Sequence, residues 1–287
     1  MLSPITRQLF AARPVDTLYH YTSLSGLLGI INSGILRSSD IRYMNDSAEL
    51  RHTLELMVNH ITRRIVSGTD HPELLNQLLE WLSHRIVSGP MLFGASFRAN
   101  GNLLSQWRGY SLHGKGVSLG FDPQHISACA MRAQFQVGRC LYDAQVQESL
   151  IENIVDTLES SVGERAPTRA AQTEQLFESI EGDLLRIAAI LKHPSFEEEQ
   201  EWRLVSPLIT PQSNAPVHFR EGASMLVPYY AFDLRDADRG HTPLDHVFVG
   251  PSANADLSTK SIELFLQQQG SYPRRGIDYC QIPFRQR

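Results

Sequence analysis

The sequence predicts an α+β fold: a mixed, mainly antiparallel central sheet with helical insertions. Three observations carry that expectation. Strand-like runs and helical stripes are interleaved unevenly, without repeated βαβ units, which argues against a doubly wound sheet. Two blocks, at about 46–88 and 143–192, carry apolar residues at helical spacing. From residue 192 onward the chain reads mostly as strand and turn, with one helix. No Pro/Gly/Ser-rich linker interrupts the 287 residues, so residues 1–16 are expected to form an N-terminal arm and 17–287 a single domain.

The opening unit is the stretch from Leu18 to Arg37. Leu18 to Tyr21 reads as a strand, Thr22 or Ser23 as a helix cap, and Leu24, Leu27, Leu28 and Ile31 as the buried face of a helix that Gly34 stops. His20 and Thr22 share one strand face, Tyr19 and Tyr21 the other. A polar imidazole and a hydroxyl therefore stand where a strand meets a helix N-terminus, a place suited to a polar or anionic ligand.

Asp46 and Glu49 then form a capping-box-like start to a helix striped by Leu50, Leu54, Met57, Ile61 and Ile65. A second helix begins near Pro72 and runs to about Val87. Strands are expected at Met91 to Phe97, Val117 to Phe121 and Gln134 to Tyr142, with a short helical segment at Leu103 to Tyr110. Two long helical patterns follow, Asp143 to about Val162 and Thr173 to Leu191. Further strands are expected at Glu201 to Val205, Val217 to Arg220, Met225 to Leu234, His246 to Gly250 and Ile277 to Ile282, with a helix over Asp256 to Gln269.

Composition narrows the function classes. A net charge of −5 argues against broad, nonspecific attraction to nucleic acid and leaves room only for a local basic groove. Three widely spaced cysteines, with no C-x-x-C pair, signal neither a disulfide framework nor a zinc knuckle, so no metal is expected. The N-terminal sequence lacks the apolar core of a secretory signal, and no run approaches a membrane span, so a cytoplasmic protein with no membrane association is expected. Phosphate-binding G-x-x-x-x-G-K-[ST], dinucleotide G-x-G-x-x-G, hydrolase G-x-S-x-G and zincin H-E-x-x-H motifs are all absent.

Four constellations can carry chemistry. The first is His20 with Tyr21, Thr22 and Ser23; the second is Tyr43 and Asn45, which helix capping by Asp46 and Glu49 leaves unexplained. The third gathers Ser96 and Phe97 with Ser105, Trp107, Arg108 and Tyr110, aromatic and polar groups suited either to the core or to stacking a flat ring. The fourth is the acidic run before Trp202, in which Glu199 and Glu201 are expected to point the same way on a strand. Arg203 offers the alternative there: by pairing Glu201 it would make that carboxylate structural.

The order YHYTS (19 to 23), YMNDSAE (43 to 49), SF…LSQWRGY (96 to 110), HGKGVSLGFD (113 to 122), KHPSFEEEQEWRLV (192 to 205) and VGP (249 to 251) resembles an uncharacterised bacterial family, a domain of unknown function. A more remote resemblance is to the ADP-ribosyltransferase superfamily, whose split sheet carries a His on a first strand and a Glu, sometimes in an E-x-E pair, opening a later one. That resemblance implies NAD as substrate. It implies Glu201, His20 and Tyr43 as catalytic residues, and His20, Tyr21, Thr22, Ser96, Trp107 and Tyr110 around the nucleotide. Glu199, Asn45 and Arg203 would then face the substrate side. The sequence departs from the superfamily pattern in lacking an S-T-S motif and in continuing through residues 202–287.

The implied reaction cleaves the bond between nicotinamide and ribose, building positive charge on the ribose much as glycoside hydrolysis does; a fixed carboxylate beside it favours that charge. The acceptor would be a protein or a nucleic acid, in a toxin, effector or antiphage role with a cognate antitoxin or immunity partner. Two other readings stand beside it: a noncatalytic nucleotide- or protein-binding module on the same fold, and a metal-free hydrolase or nuclease using His20 with Glu201.

Overall fold

The computed structural model describes residues 1–44, 48–110, 116–162, 170–210, 213–222, 224–252 and 254–282; the side chains of 48, 49, 86–88, 110, 170 and 171 lie outside the description. The segment expected as an arm contains helix α1 (Ser3–Leu9), which starts on Pro4. It is anchored, since Leu2 and Thr6 are buried and Ser3 Oγ donates to Asp183 at 3.0 Å.

The opening unit folds as its sequence dictates. Strand β1 (Leu18–Ser23) leads directly into α2 (Leu24–Ser33), capped by Ser23, whose Oγ accepts the Gly26 N–H at 3.1 Å. Gly34 ends the helix at φ +69°, a left-handed turn that launches β2 (Ile35–Asp40). Gly26 is required for a different reason: a Cβ there would collide with Thr22 Oγ1, so its absence lets the first turn of α2 sit against β1.

The two helical insertions meet in one layer. Helices α3 (Ala48–Ser67) and α4 (Pro72–Ser88) pack with α7 (Ala144–Val162) and α8 (Ala170–Ala188) around Met57, Ile61, Leu75, Ile154, Ile180 and Leu2. Asp46, expected to cap α3, lies outside the described residues. Arg64 clips α3 to Asp156 and Glu159 of α7, and Arg85 clips α4 to Glu181 of α8.

The sheet is built from β3 (Phe93–Arg98), β4 (Gly116–Phe121), β5 (Gln136–Arg139), β6 (Glu201–Val205), β7 (Val217–Glu221), β8 (Leu226–Asp233), β9 (His246–Val249) and β10 (Ile277–Tyr279), together with β1 and β2. Neighbours run β10-β9-β4-β1-β3-β2-β8-β7, with β6 between β3 and β5, and among these only β9 and β10 are parallel. The mixed, mostly antiparallel sheet agrees with expectation. Helix α5 (Leu104–Tyr110) follows β3, and α9 (Ala255–Gln268) lies between β9 and β10. Helix α6 (Pro123–Arg132) was not anticipated, although Asp122 caps it and Pro123 opens it; the strand expected over Gln134 to Tyr142 shortens to β5. The main core lies between α2, α6, α9 and one sheet face, where Leu27, Ile126 and Leu266 meet Phe97, Phe121 and Leu204.

One local irregularity shapes this sheet. β6 pairs with β3 along Gly94 to Arg98, occupying one edge completely. β1 and β2 must then share the other edge. β2 pairs at Phe93 and Gly94, and β1 at Arg98 alone. Between those contacts the two strands diverge, and the sheet splits.

Gly34→Ala tests the turn that sets this divergence. The left-handed residue costs a Cβ-bearing side chain roughly 1–2 kcal/mol, and the added methyl would also displace the Arg235 side chain. Urea titration should show a loss of at least that size; an unchanged midpoint would mean the turn is not constrained.

Candidate split-sheet cleft

The gap between β1 and β2 is a cleft of about 520 Å³, within the range of small-molecule sites. β1 contributes His20 to Ser23, the first turns of α2 contribute Ser25, Gly26 and Gly29, and β2 contributes Arg37 and Ser39. Ser96 and Arg98 form part of its floor; Tyr43, Gln106 and Arg220 also line it. No Asp or Glu is among the described lining residues, whereas three arginines are. The N-terminus of α2 adds partial positive charge. A wider hollow of about 910 Å³ at Arg64, Thr69, His71 and Glu159 is electrically satisfied, because Arg64 there already binds two carboxylates.

His20 belongs to the split itself. Alternation along β3 turns the Ser96 carbonyl toward the unpaired edge, and His20 Nδ1 donates to it at 3.0 Å, replacing a ladder bond. A carbonyl only accepts, so the proton sits on Nδ1. Burial pushes the imidazole below its ordinary value of 6.5, with the Arg98 charge adding to the effect against the Ser96 hydrogen bond. The ring is therefore neutral, and Nε2 is left as an acceptor at the cleft wall.

Of the other expected residues, Thr22, Tyr43 and Ser96 line the cleft with His20, and Tyr43 is 39% exposed. Tyr21 borders it, but its hydroxyl is committed to the turn after β3: it donates to Asn100 O at 2.9 Å and accepts from Leu103 N at 2.8 Å. Trp107 is a correction. It is fully buried, with Nε1 donating to Asn102 Oδ1 and its ring edge-on to Tyr21, so it is a core side chain that fixes α5. Asn45 and the side chain of Tyr110 lie outside the described residues.

The E-x-E carboxylates require a second correction. Glu199 ends a 3-10 turn (Pro194–Glu199), and Gln200, at φ 40°, swings the chain into β6. Glu199 and Glu201 still converge, though by a left-handed step rather than by strand alternation, and Lys192 Nζ binds them at 2.6 and 2.7 Å. Arg98 bridges the same two carboxylates at 2.8 and 3.1 Å, and Arg203 binds Glu201 Oε1 at 2.7 Å. Glu201 and Lys192 are fully buried and Arg203 nearly so. Burial pushes the Glu201 carboxyl up, but Arg203, Arg98 and Lys192 together outweigh it and hold the group well below the usual 4.5. In this arrangement Glu201 does not line the cleft, and Arg203 plays the structural part that its position offered. Glu199, the less buried of the two carboxylates, is tied to the wall through Gln106 Nε2 at 3.3 Å and Arg98.

Arg37, Arg98, Gln106 and Arg220 are cleft residues that sequence reasoning passed over. Arg98 directly follows the quoted Ser96-Phe97 pair and carried a signal, a charge at the end of an apolar strand; Arg37 and Arg220 resemble any surface arginine.

Among the described residues, no group of three or more His, Cys, Asp or Glu side chains could hold a metal ion, and no helix is long and apolar enough to cross a membrane. The three cysteines are buried thiols.

Comparison with known proteins gives one partial likeness. Residues 106–204 match DUF2971, a protein family of unknown function. The match takes in Gln106, Lys192 and the E-x-E carboxylates, but not the β1 and β2 walls of the cleft. No curated protein matches the chain.

Two measurements test this electrostatic description. Glu201→Gln leaves buried cations undercompensated and should cost about 3–5 kcal/mol of stability. Because the folded carboxyl is held low, that contribution exists above 4.5 and disappears as pH falls through the folded value. A variant melting like the wild type would refute the buried network. For His20 the sign is opposite to a salt-bridged histidine: below 6.5 the unfolded chain takes up a proton that the fold excludes. Wild type should therefore lose stability relative to His20→Gln on acidification below that value; parallel pH profiles would contradict a neutral His20.

Proposed function

We propose that the split-sheet cleft binds NAD and that the protein is an ADP-ribosyltransferase acting on a macromolecular acceptor. The observation that carries the reading is the cleft itself: a gap in the sheet, with no carboxylate among its described lining residues, where a neutral His20 meets three arginines and a helix N-terminus.

Each component suits part of a dinucleotide. Arg37, Arg98 and Arg220 with the α2 N-terminus suit the two phosphates, since guanidinium groups bind phosphate oxygens through paired N–H donors. His20, held through Nδ1 by the Ser96 carbonyl, leaves Nε2 able to accept from a ribose hydroxyl. Tyr43, half exposed at the rim, offers a ring face to a heterocycle. When bound, NAD supplies a C1′–N bond whose electron pair leaves with nicotinamide, and an acceptor nucleophile then bonds to C1′ and surrenders its proton. The task of the chain is to orient the ribose, exclude water and set a negative charge beside C1′. Glu199, partly exposed and hydrogen-bonded to Gln106 on the cleft wall, is better placed for that charge than Glu201. The DUF2971 match covers both carboxylates but carries no activity.

A second reading is favoured by one observation. Glu201 is fully buried and engaged by three cations, as expected of a protein that binds a nucleotide without turning it over.

Calorimetric titration with NAD, run beside an assay for released nicotinamide, separates the cases. Saturable binding is expected, weakened roughly tenfold or more in Arg220→Ala through loss of a charge-assisted hydrogen bond. Nicotinamide release abolished by Glu199→Gln supports the transferase. Binding without release assigns the noncatalytic reading, and absence of NAD binding removes both.

A further inference from the structure

The sheet face beside the cleft carries a second feature, a pair of rings, Tyr229 and His218, that nucleotide binding leaves unused. Register places Ser39 of β2 opposite Tyr229 of β8, and Tyr229 opposite His218 of β7. Opposed residues, and residues two apart on one strand, share a face, so Arg37, Ser39, Tyr229, His218 and Arg220 lie together on one side of three strands. Within this row the Arg37 guanidinium carbon lies 5.5 Å from the centre of the Tyr229 ring, and the His218 ring lies 5.7 Å from it, inclined at only 31°. Three flat groups from three strands thus form a continuous shelf, with Arg37 and His218 exposed.

Among the described residues its charge is uncompensated: Arg37 makes no ion pair, and Arg220 bonds only to Ser39 Oγ and the Glu221 carbonyl. The carboxylate on this face, Asp233, is already held by Arg235 at 2.7 Å. The shelf is also continuous with the cleft, since Arg37, Ser39 and Arg220 line both.

The geometry points to single-stranded nucleic acid as the occupant of this shelf and, resting on the transferase reading, as the acceptor class presented to the cleft. Unpaired bases stack on aromatic and guanidinium planes while arginines meet the phosphates; a duplex hides its base faces, and an acidic peptide has no planes to stack. With net charge −5 over the whole chain, attraction has to come from a local basic patch such as this one. Two phosphate contacts, from Arg37 and Arg220, give a log–log salt slope of about −1.4.

The test is fluorescence anisotropy of the full chain with fluorescein-labelled mixed-sequence single strands, DNA and RNA, and with the matching DNA duplex, all without NAD. Single strands should bind more tightly than duplex, with the shallow salt slope above. Tyr229→Ala should weaken binding roughly 10- to 100-fold, Tyr229→Phe should restore it, and the exposed His218→Ala should weaken it less. Neither Tyr229 nor His218 lines the cleft, so NAD titration of the same variants should match wild type and certify their folding. Equal binding of duplex, equal competition by poly-glutamate, or wild-type affinity in Tyr229→Ala and His218→Ala overturns the inference. NAD binding without oligonucleotide binding overturns it and leaves the nucleotide reading intact. Oligonucleotide binding without NAD binding supports the shelf and removes the transferase.

Discussion

A β-strand has two hydrogen-bonding edges, and β3 has three neighbours. β6 takes one edge over its full length, so β1 and β2 are left with the two ends of the other. The middle of that edge cannot be closed by backbone, yet a buried carbonyl without a partner is costly. His20 resolves the conflict by donating from Nδ1 to Ser96 O, and the space that no strand fills becomes the cleft. Its position and shape, the tautomer of its histidine and the entry of the α2 N-terminus all follow from that shared edge.

Behind the split, the sheet carries a layer of buried charge where an apolar layer would be simpler. Arg98, Lys192 and Arg203 meet Glu199 and Glu201 there. Such clusters hold together only when nearly every donor and acceptor is engaged, and this one recruits backbone as well: Arg203 Nη1 donates to Ala189 O, and Tyr142 Oη accepts the Glu201 N–H. Arg98 is the member that also lines the cleft, so a guanidinium of the layer is presented where a phosphate would arrive. The layer ties the helical insertions to the sheet while charging the floor of the site.

The fold was largely legible because its strongest signals are local. The strand, cap, helix and glycine stop from Leu18 to Gly34 follow from patterning and capping, as do the long helices. Helix α6 was missed because only three of its ten residues, Ile126, Cys129 and Ala130, are buried, although Asp122-Pro123 marked its start. Site residues were legible where two local constraints met, as at His20. They were misjudged where the deciding partner is distant: nothing near Glu201 announces Lys192 and Arg98, and nothing near Trp107 announces Tyr21. Arg37 and Arg220 lie far apart in the chain and become neighbours only through β8.

The most direct test is a crystal structure of the chain grown with NAD. The account requires the phosphates between β1 and β2, within hydrogen-bonding reach of Arg37, Arg98 or Arg220, and a ribose hydroxyl on His20 Nε2. A dinucleotide seated elsewhere, or a split that stays empty at saturating NAD, would contradict it.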